Sequence, residues 1–183
     1  VTGGPGTGKT TLHRAVLHAL SRRRDRAVLC APTGRAAKRL SEATGHPAQT
    51  IHRLLEWNPV EGSFQRGLHA PLEADLVIVD EVSMVDLPLF RHLVEAVKPG
   101  SRLLLVGDAD QLPSVGPGAV LGDCIASGAV ECVRLRTIYR QDEASRIVTN
   151  AHRILDGEPP LLPPAGQRAD FVLIERSDPA ELL

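Results

Sequence analysis

Aromatic residues are scarce in this chain of 183 residues, where one Trp, one Tyr and three Phe make up 3% of the sequence. A hydrophobic core must therefore be built from Leu, Val, Ile and Ala, within a total hydrophobic content of 43%. That content is ordinary for a globular protein and excludes wholesale disorder. The length predicts one domain of about 150 residues, with roughly thirty residues left over.

Cysteine is also rare, and its three positions form no Cys-x-x-Cys pair. Cys30, Cys124 and Cys132 therefore predict no structural zinc site and no disulfide framework, but reduced thiols in a cytoplasmic protein. The longest apolar runs, such as 103–106, are far shorter than the ~20 residues that cross a membrane. We expect neither a membrane segment nor a secretory leader.

No sign of charge dominates, because 21 basic and 22 acidic residues give a formal net charge of −1. This balance excludes a globally basic surface for nucleic acid, although a local basic patch stays possible. The chain begins at Val1 and its only methionine is Met84. We therefore expect a processed start or a piece of a longer protein.

Short β-branched runs alternate with amphipathic stretches along the first 157 residues. Near-continuous apolar runs are typical of strands that are covered on both faces of a parallel sheet. Strands alternating with helices indicate βαβ units and an α/β domain. The predicted strands cover 27–31, 76–79, 102–106 and 130–135. The predicted helices comprise one with an apolar face of Leu12, Ala15, Val16, Ala19 and Leu20, and others near 35–43, 87–97 (N-cap Asp86), 117–125 and 143–155.

Two stretches interrupt the alternation. Residues 57–71 have no helical period and carry Asn58-Pro59 and Glu61-Gly62, which predicts a small inserted hairpin. Residues 158–169 are rich in proline and indicate a linker. From residue 170 onward, a strand at 171–175 and a helix start at 177–179 predict the beginning of a second domain that is cut short.

The clearest motif is Gly3-Gly4-Pro5-Gly6-Thr7-Gly8-Lys9-Thr10, which fits G-x-x-x-x-G-K-[ST] without a mismatch. Its glycines let successive N–H groups face a phosphate, above the positive end of the helix that follows through Thr11. Lys9 is expected to reach the β- and γ-phosphates of a nucleoside triphosphate, and the Thr10 hydroxyl to ligate Mg²⁺.

Two acids follow the predicted strand at 76–79. Asp80 can hold the metal ion beside Thr10, and Glu81 can orient or deprotonate an attacking water, which favours hydrolysis of the triphosphate. Gln111 follows the next strand and can bond the γ-phosphate or the water. A polar loop that merely closes the strand is the alternative for Gln111.

Several segments together resemble the superfamily 1B DNA helicases of the RecD/TraA type. The similarity extends from residue 1 to about residue 157. Gly3-Gly4-Pro5-Gly6 and Asp108-Ala109-Asp110-Gln111 favour the RecD type over the Pif-type branch or the helicase half of a relaxase, which remain alternatives. The segments are 3–10, 31–37, 50–55, 79–84, 107–113, 138–141, 145–148 and 150–154.

The resemblance implies a P-loop NTPase with a RecA-like parallel sheet, helices on both faces and a small inserted β-hairpin. It implies a motor that uses ATP and Mg²⁺ to move 5′ to 3′ on single-stranded DNA and unwind duplex at junctions, in repair or recombination. Residues 1–157 would form its first RecA-like domain, with 57–71 as the duplex-splitting pin. The second RecA-like domain, required in cis, would begin near residue 170.

The resemblance also assigns roles to single residues. Lys9, Asp80 and Glu81 keep the roles given above, Gln111 couples the γ-phosphate to DNA, and Arg140 contacts the γ-phosphate. A P-loop ATPase switch without DNA activity is the alternative from another class. The implied DNA contacts are Pro32, Thr33, Gly34, Arg35, Thr50 and His52.

Overall fold

The computed structural model describes residues 1–23, 25–137, 145–164 and 170–174. The chain divides into two compact units, residues 1–137 and 138–183, which are described separately below. In chain order the elements are α1 (Lys9–Ser21), β1 (Ala27–Ala31), α2 (Gly34–Thr44), β2 (Ala48–Thr50), α3 (Ile51–Leu54), β3 (Trp57–Asn58), β4 (Ser63–Phe64), β5 (Leu76–Val79), a 3-10 helix (Val82–Met84), α4 (Leu87–Ala96), β6 (Arg102–Leu105), α5 (Val120–Ser127) and α6 (Arg146–Leu155).

A parallel four-stranded sheet in the order β2-β1-β5-β6 lies at the centre of the first unit. Val79, the last residue of β5, pairs with Cys30 on one side and with Leu105 on the other. The carboxyl ends of three strands are therefore level, and the loops that follow them meet at one edge of the sheet. Ligands of open α/β sheets bind at this kind of edge.

Helices cover both faces of this sheet. Side chains alternate between the two faces along each strand, and β5 is buried at every residue, so both faces carry apolar side chains that need a cover. Leu76 and Ile78 of β5 pack with the face that carries α1 and α2. Val77 and Val79 pack with the opposite face, which carries α3, α4 and α5. The predicted α/β class, with a parallel sheet and helices on both faces, is confirmed.

The predicted strand at 130–135 is wrong. Only Arg134 takes part in a bridge, a single parallel one with Thr2, which also bridges Gly107. The N–H of Thr2 donates to the carbonyl of Val133 at 2.9 Å. Val133 itself is 57% exposed, so this apolar run lies along the surface and does not form a buried strand.

The start of α4 follows its predicted capping residue. The Asp86 carboxylate accepts from the N–H of Leu89 at 2.9 Å, which confirms the predicted N-cap of α4. α5 begins at Val120, three residues later than predicted, without a side-chain cap.

The apolar face predicted for α1 is partly wrong, since Ala15 and Ala19 are exposed. The buried residues of α1 are His13, Leu17 and Leu20.

The predicted inserted hairpin is present. β3 and β4 pair antiparallel, with Trp57 opposite Phe64. The side-chain oxygen of Asn58 accepts from the N–H of Val60 at 3.0 Å and starts the turn, and Gly62 with φ +62° ends it. The regular pairing covers only the first half of the predicted range 57–71.

In the second unit, α6 is tied to the proline-rich segment that follows it. Asn150 is fully buried and bonds Leu161 twice, with its amide N–H donating at 3.0 Å and its oxygen accepting at 2.7 Å. Residues 171–174 have no regular secondary structure, so the strand predicted at 171–175 is wrong over the part that the structure describes, and residue 175 lies outside that part. Arg140, residues 143 and 144 and the predicted helix start at 177–179 lie outside the described residues. No helix in the described part of the chain is long and apolar enough to cross a membrane.

Candidate functional site

The glycine-rich loop before α1 needs its glycines for steric reasons. Gly6 and Gly8 have φ of +77° and +90°, a left-handed conformation that other residues rarely adopt. A Cβ on Gly3 would lie 2.6 Å from the hydroxyl of Thr7 and 2.9 Å from the carbonyl oxygen of Leu135. The compact curve of the loop at the N-terminus of α1 therefore leaves no room for a side chain at Gly3.

The side chain of Lys9 folds back over this loop. Its Nζ donates to the carbonyl oxygens of Gly3 at 2.5 Å and Gly4 at 2.9 Å. The hydroxyl of Thr7 donates to the same Gly4 carbonyl at 2.8 Å. The ammonium group is thus held close to the loop, while Thr10 in the first turn of α1 is exposed.

The two acids after β5 lie at a sharp turn of the backbone. The N–H of Asp80 still donates to the carbonyl of Cys30 at 3.0 Å and continues the sheet. Glu81 has φ +54° and ψ +42°, a left-handed conformation that is uncommon for a residue other than glycine. Such conformations store strain and cluster at functional sites.

The carboxyl group of Glu81 is suited to accept a proton. Burial is the main cause that raises its pKa above the ordinary value, and the charge of Asp80 raises it further. Its Oε2 is buried and has no hydrogen-bond partner among the described residues. A carboxylate in this state binds a proton more readily than an exposed glutamate does.

The loop after β6 adds Asp108 and Gln111 to the same edge. Asp108 is only 3% exposed, and its carboxylate accepts from the N–H of Asp110 at 3.1 Å and, weakly, from the side-chain amide of Gln111 at 3.5 Å. The hydroxyl oxygen of Thr2 accepts from the N–H of Ala109 at 3.0 Å and fixes the loop further. Gln111 itself is exposed.

A cavity of about 330 Å³ lies at this edge of the sheet. It brings together three of the predicted catalytic residues with two of the predicted DNA contacts, Thr33 and Arg35. A larger groove of about 510 Å³ is lined by α1 and by the end of α2, and Thr11 is the one residue of the predicted site among its lining. The smaller cavity is lined by Thr33, Arg35, Ala36, Arg39, Asp80, Glu81, Met84 and Gln111.

The other predicted DNA contacts begin α2 and α3. The hydroxyl oxygens of Thr33 and Thr50 cap these helices, each accepting a backbone N–H at 3.2 Å. Pro32 precedes the first cap and is half-buried. A Cβ on Gly34 would meet nothing within 4 Å, so the fold itself does not require glycine there.

The sixth predicted DNA contact, His52, belongs to an aromatic cluster at the hairpin. Its ring lies 5.7 Å from that of Phe64, which in turn lies 4.7 Å from the indole of Trp57. Phe64 also contacts the ring of His92 at 4.9 Å. Trp57 is 43% exposed, so the cluster has one open aromatic side.

Sequence reasoning missed His13. The ring is 1% exposed, and its Nε2 lies 3.9 Å from Oδ1 of Asp80. The apolar pattern of α1 drew attention to Leu12 and its neighbours. The available signal was spacing, because position 13 lies one helical turn from both Lys9 and Leu17.

The residues present fit a magnesium triphosphate. Mg²⁺ prefers oxygen ligands and is usually held by one or two carboxylates together with substrate phosphates. The hydroxyl of Thr10 and the carboxylate of Asp80 are such donors, next to a loop shaped for phosphate. In the described ranges no group of three or more His, Cys, Asp and Glu side chains suits a metal ion by itself.

The glycine loop, the acid pair on the neighbouring strand and the parallel sheet define the class of P-loop NTPase domains with a RecA-like fold. The sequence matches the family described as AAA domain over residues 1–117. It is 46% identical over 160 residues to the ATP-dependent RecD2 DNA helicase of Deinococcus radiodurans, covering 87% of this chain and 22% of that protein. The chain belongs to the RecD-type helicases of superfamily 1.

A second relative agrees with this family, and a solved structure agrees with the fold. The RecBCD enzyme subunit RecD of Mycobacterium tuberculosis is 39% identical over 212 aligned positions, which cover 100% of this chain and 36% of that protein. The chain thus spans about a third of the length of these relatives or less. A solved structure of Pif1 helicases at forked double-stranded DNA shares the fold, with a TM-score of 0.53 and 24% identity over 84% of this chain and 42% of that one.

Proposed function

We propose that this chain is the ATP-binding motor domain of a RecD-type DNA helicase. In this proposal ATP hydrolysis drives movement 5′ to 3′ along single-stranded DNA and unwinding at single-strand/duplex junctions. The observation that carries it is the cavity lined by Asp80 and Glu81 from one side and by Thr33 and Arg35 from the other. A nucleotide whose Mg²⁺ is held by Asp80 would lie next to the segment proposed to hold DNA.

The nucleotide half of the proposal uses the glycine loop. The backbone N–H groups of Gly4 and of residues 6 to 8 would surround the phosphates, since Pro5 has no N–H and the N–H of Gly3 donates to the carbonyl of Gly107 at 3.2 Å. Lys9 would exchange the carbonyls of Gly3 and Gly4 for phosphate oxygens. Thr10 and Asp80 hold Mg²⁺, with Thr11 completing the first turn of the helix. The bound ion supplies positive charge that neutralises the phosphates.

The hydrolytic half uses three side chains. Glu81 accepts the proton of the attacking water, a role supported by its raised pKa and its unpartnered Oε2. Gln111, at the mouth of the cavity, orients the water or the γ-phosphate. Arg140 is assigned to the γ-phosphate from its sequence motif, and an arginine in that role contributes ~10³–10⁵ in rate.

The DNA half of the proposal uses the starts of α2 and α3. Arg35 is exposed and supplies a cation for a DNA phosphate. The open space at Gly34 lets a DNA backbone approach closely. Pro32, Thr33, Thr50 and His52 extend this surface. The hairpin, with its half-exposed Trp57, serves as the pin that separates the strands.

The wider context is part of the same proposal. Since the chain covers 22% and 36% of two relatives, a second RecA-like domain in cis would complete the ATP site and the DNA path. The printed names of these relatives, an ATP-dependent DNA helicase and a subunit of a RecBCD enzyme, support a role in DNA repair or recombination. A cytoplasmic location suits a motor that uses ATP and carries free thiols.

The test is unwinding by the complete polypeptide of one duplex with either a 5′ or a 3′ single-stranded tail. With ATP and Mg²⁺ we expect the 5′-tailed duplex to be opened and the 3′-tailed one to stay paired, and Lys9→Ala to open neither. Opening of the 3′-tailed duplex alone would refute the polarity. ATP hydrolysis without opening of any duplex would indicate a nucleotide switch.

A further inference from the structure

His13 occupies an unusual place in the helix that follows the glycine loop. It lies on the face of α1 that packs against the sheet, with Leu17 and Leu20, and is 1% exposed. Neither ring nitrogen has a hydrogen-bond partner among the described residues. Oδ1 of Asp80 lies 3.9 Å from Nε2.

A ring that only filled space would be better replaced by an apolar one. A buried donor or acceptor without a partner destabilises the fold, whereas an apolar side chain of the same shape avoids that loss. The imidazole adds to this position one feature that a phenyl ring lacks, a polar Nε2 near Asp80. The contact therefore calls for an explanation in terms of Asp80.

The ring is placed to donate a hydrogen bond to Asp80. It is 1% exposed, and neither ring nitrogen has another hydrogen-bond partner among the described residues. A neutral imidazole carries one N–H, on either nitrogen. With the proton on Nε2, the ring can donate to the carboxylate of Asp80.

We propose that His13 is a positioning residue for Asp80, donating an Nε2–H hydrogen bond to Oδ1 when Mg²⁺ and ATP bind. The proposal rests on the function proposed above for Asp80. The gap of 3.9 Å exceeds a hydrogen bond of about 2.9 Å by roughly one ångström, which a small side-chain rotation closes. Such a bond fixes one carboxylate oxygen and leaves the other for the ion.

The expected size of the effect follows from metal ligands in other proteins. Outer groups that hydrogen-bond a metal ligand orient it, and their loss typically lowers metal affinity or activity by about 10–100-fold. Because His13 itself touches neither ion nor nucleotide in this account, nucleotide binding without Mg²⁺ should not depend on it. The Mg²⁺ concentration that nucleotide binding requires should depend on it.

The test compares His13→Phe, which keeps a ring but no donor, with His13→Gln, whose amide keeps a donor at similar reach. A fluorescent ATP analogue is titrated onto the complete polypeptide with EDTA and over a series of Mg²⁺ concentrations. We expect all three proteins to bind equally in EDTA. The Mg²⁺ requirement should rise by about 10–100-fold in His13→Phe and stay within a few-fold of wild type in His13→Gln.

Two controls separate positioning from packing. His18→Phe, at an exposed position of the same helix, should bind like wild type. In an Asp80→Asn background, His13→Phe should add less than about a twofold change, since coupled residues are not additive. If His13→Phe does not fold, His13→Asn, whose amide is too short to reach Asp80, takes its place beside His13→Gln.

A wild-type Mg²⁺ requirement in His13→Phe would overturn the positioning role and leave the function proposed for the nucleotide site intact. An equal loss in His13→Phe and His13→Gln would also overturn it, as a packing effect. If the wild-type protein bound the analogue without any response to Mg²⁺, both the positioning role and the proposed metal site would fall.

Discussion

The side chain of Lys9 turns back on the loop that precedes it and donates a 2.5 Å hydrogen bond to the carbonyl oxygen of Gly3. Only glycine fits at this position, because a Cβ there would clash with Thr7 and Leu135, and the N–H of Gly3 donates to the carbonyl of Gly107 at 3.2 Å. Loop and cation therefore form one unit at the start of α1. A phosphate bound by the loop would lie within reach of the ammonium group.

Replacing Lys9 by Ala should remove nucleotide binding and leave the fold intact. Loss of two charge-assisted contacts at about 1.5 kcal/mol each corresponds to roughly a 100-fold lower affinity. The measurement is titration of a fluorescent ATP analogue with Mg²⁺, alongside thermal unfolding. Lys38→Ala, at an exposed position of α2, is the matched control. Binding by Lys9→Ala within about twofold of wild type would exclude this lysine from the phosphate site.

The raised pKa of Glu81 predicts that this residue destabilises the fold at neutral pH. Burial keeps its proton bound in the folded protein to a higher pH than in the unfolded chain. Between the two pKa values the folded state binds more protons, so the free energy of unfolding falls as pH rises. Above the pKa that Glu81 has in the folded protein this loss of stability is complete, and near pH 4 it is absent.

Glu81→Gln should therefore raise the free energy of unfolding near pH 8 and lose this advantage near pH 4. Urea unfolding at both pH values measures the difference. Glu131→Gln, at an exposed position, should change neither value. Equal stability of Glu81→Gln and wild type at pH 8 would show that burial of the carboxylate carries no penalty.

Gly34 should tolerate alanine in the fold but not in contact with DNA. Because a Cβ there meets nothing, and Ala is the better helix former by about 0.5–1 kcal/mol, Gly34→Ala should fold as well as wild type or better. A methyl group in the path of a DNA backbone should lower single-strand affinity by about tenfold, or ~1.4 kcal/mol. Fluorescence anisotropy of a labelled oligonucleotide measures it. Gly122→Ala, in α5, is the control, and equal affinity for both variants would remove Gly34 from the DNA path.

Trp57 should matter for unwinding more than for ATP hydrolysis. Stacking of a base on an aromatic ring contributes about 1–3 kcal/mol, so Trp57→Ala should slow strand separation by roughly tenfold. Hydrolysis stimulated by single-stranded DNA should stay within about twofold, because the hairpin holds none of the residues assigned to ATP. Trp57→Phe should restore most of the unwinding rate. A hairpin that only packs against the domain predicts wild-type unwinding by Trp57→Ala.

Much of the fold could be predicted from local pattern. β1 and β5 occupy the predicted residues, since a buried parallel strand is apolar along its whole length. The cap at Asp86 marks the start of α4 because its carboxylate satisfies a free N–H. The strand predicted at 130–135 is wrong because an apolar sequence does not by itself show that a residue is buried, and Val133 is exposed.

The candidate site was predictable where chemistry depends on adjacent residues, and not where it depends on packing. Gly3–Thr10 and Asp80-Glu81 stand out because each is contiguous in the sequence. Residues 33 and 111 line the same cavity, and no local sequence pattern predicts that they do. His13 escaped notice because its partner, Asp80, lies 67 positions away in the numbering (80 minus 13) and only the fold brings them together.

The measurement that tests the central claim most directly is the rate of ATP hydrolysis by the complete polypeptide with and without single-stranded DNA. Because Asp80 and Glu81 share a cavity with the segment proposed to hold DNA, we expect the rate to rise at least about tenfold on saturation with DNA. This rise is equivalent to ~1.4 kcal/mol of coupling. Arg35→Glu should reduce this stimulation without changing the basal rate. A basal rate that is abolished by Lys9→Ala yet is the same with and without DNA would contradict the account of a DNA motor.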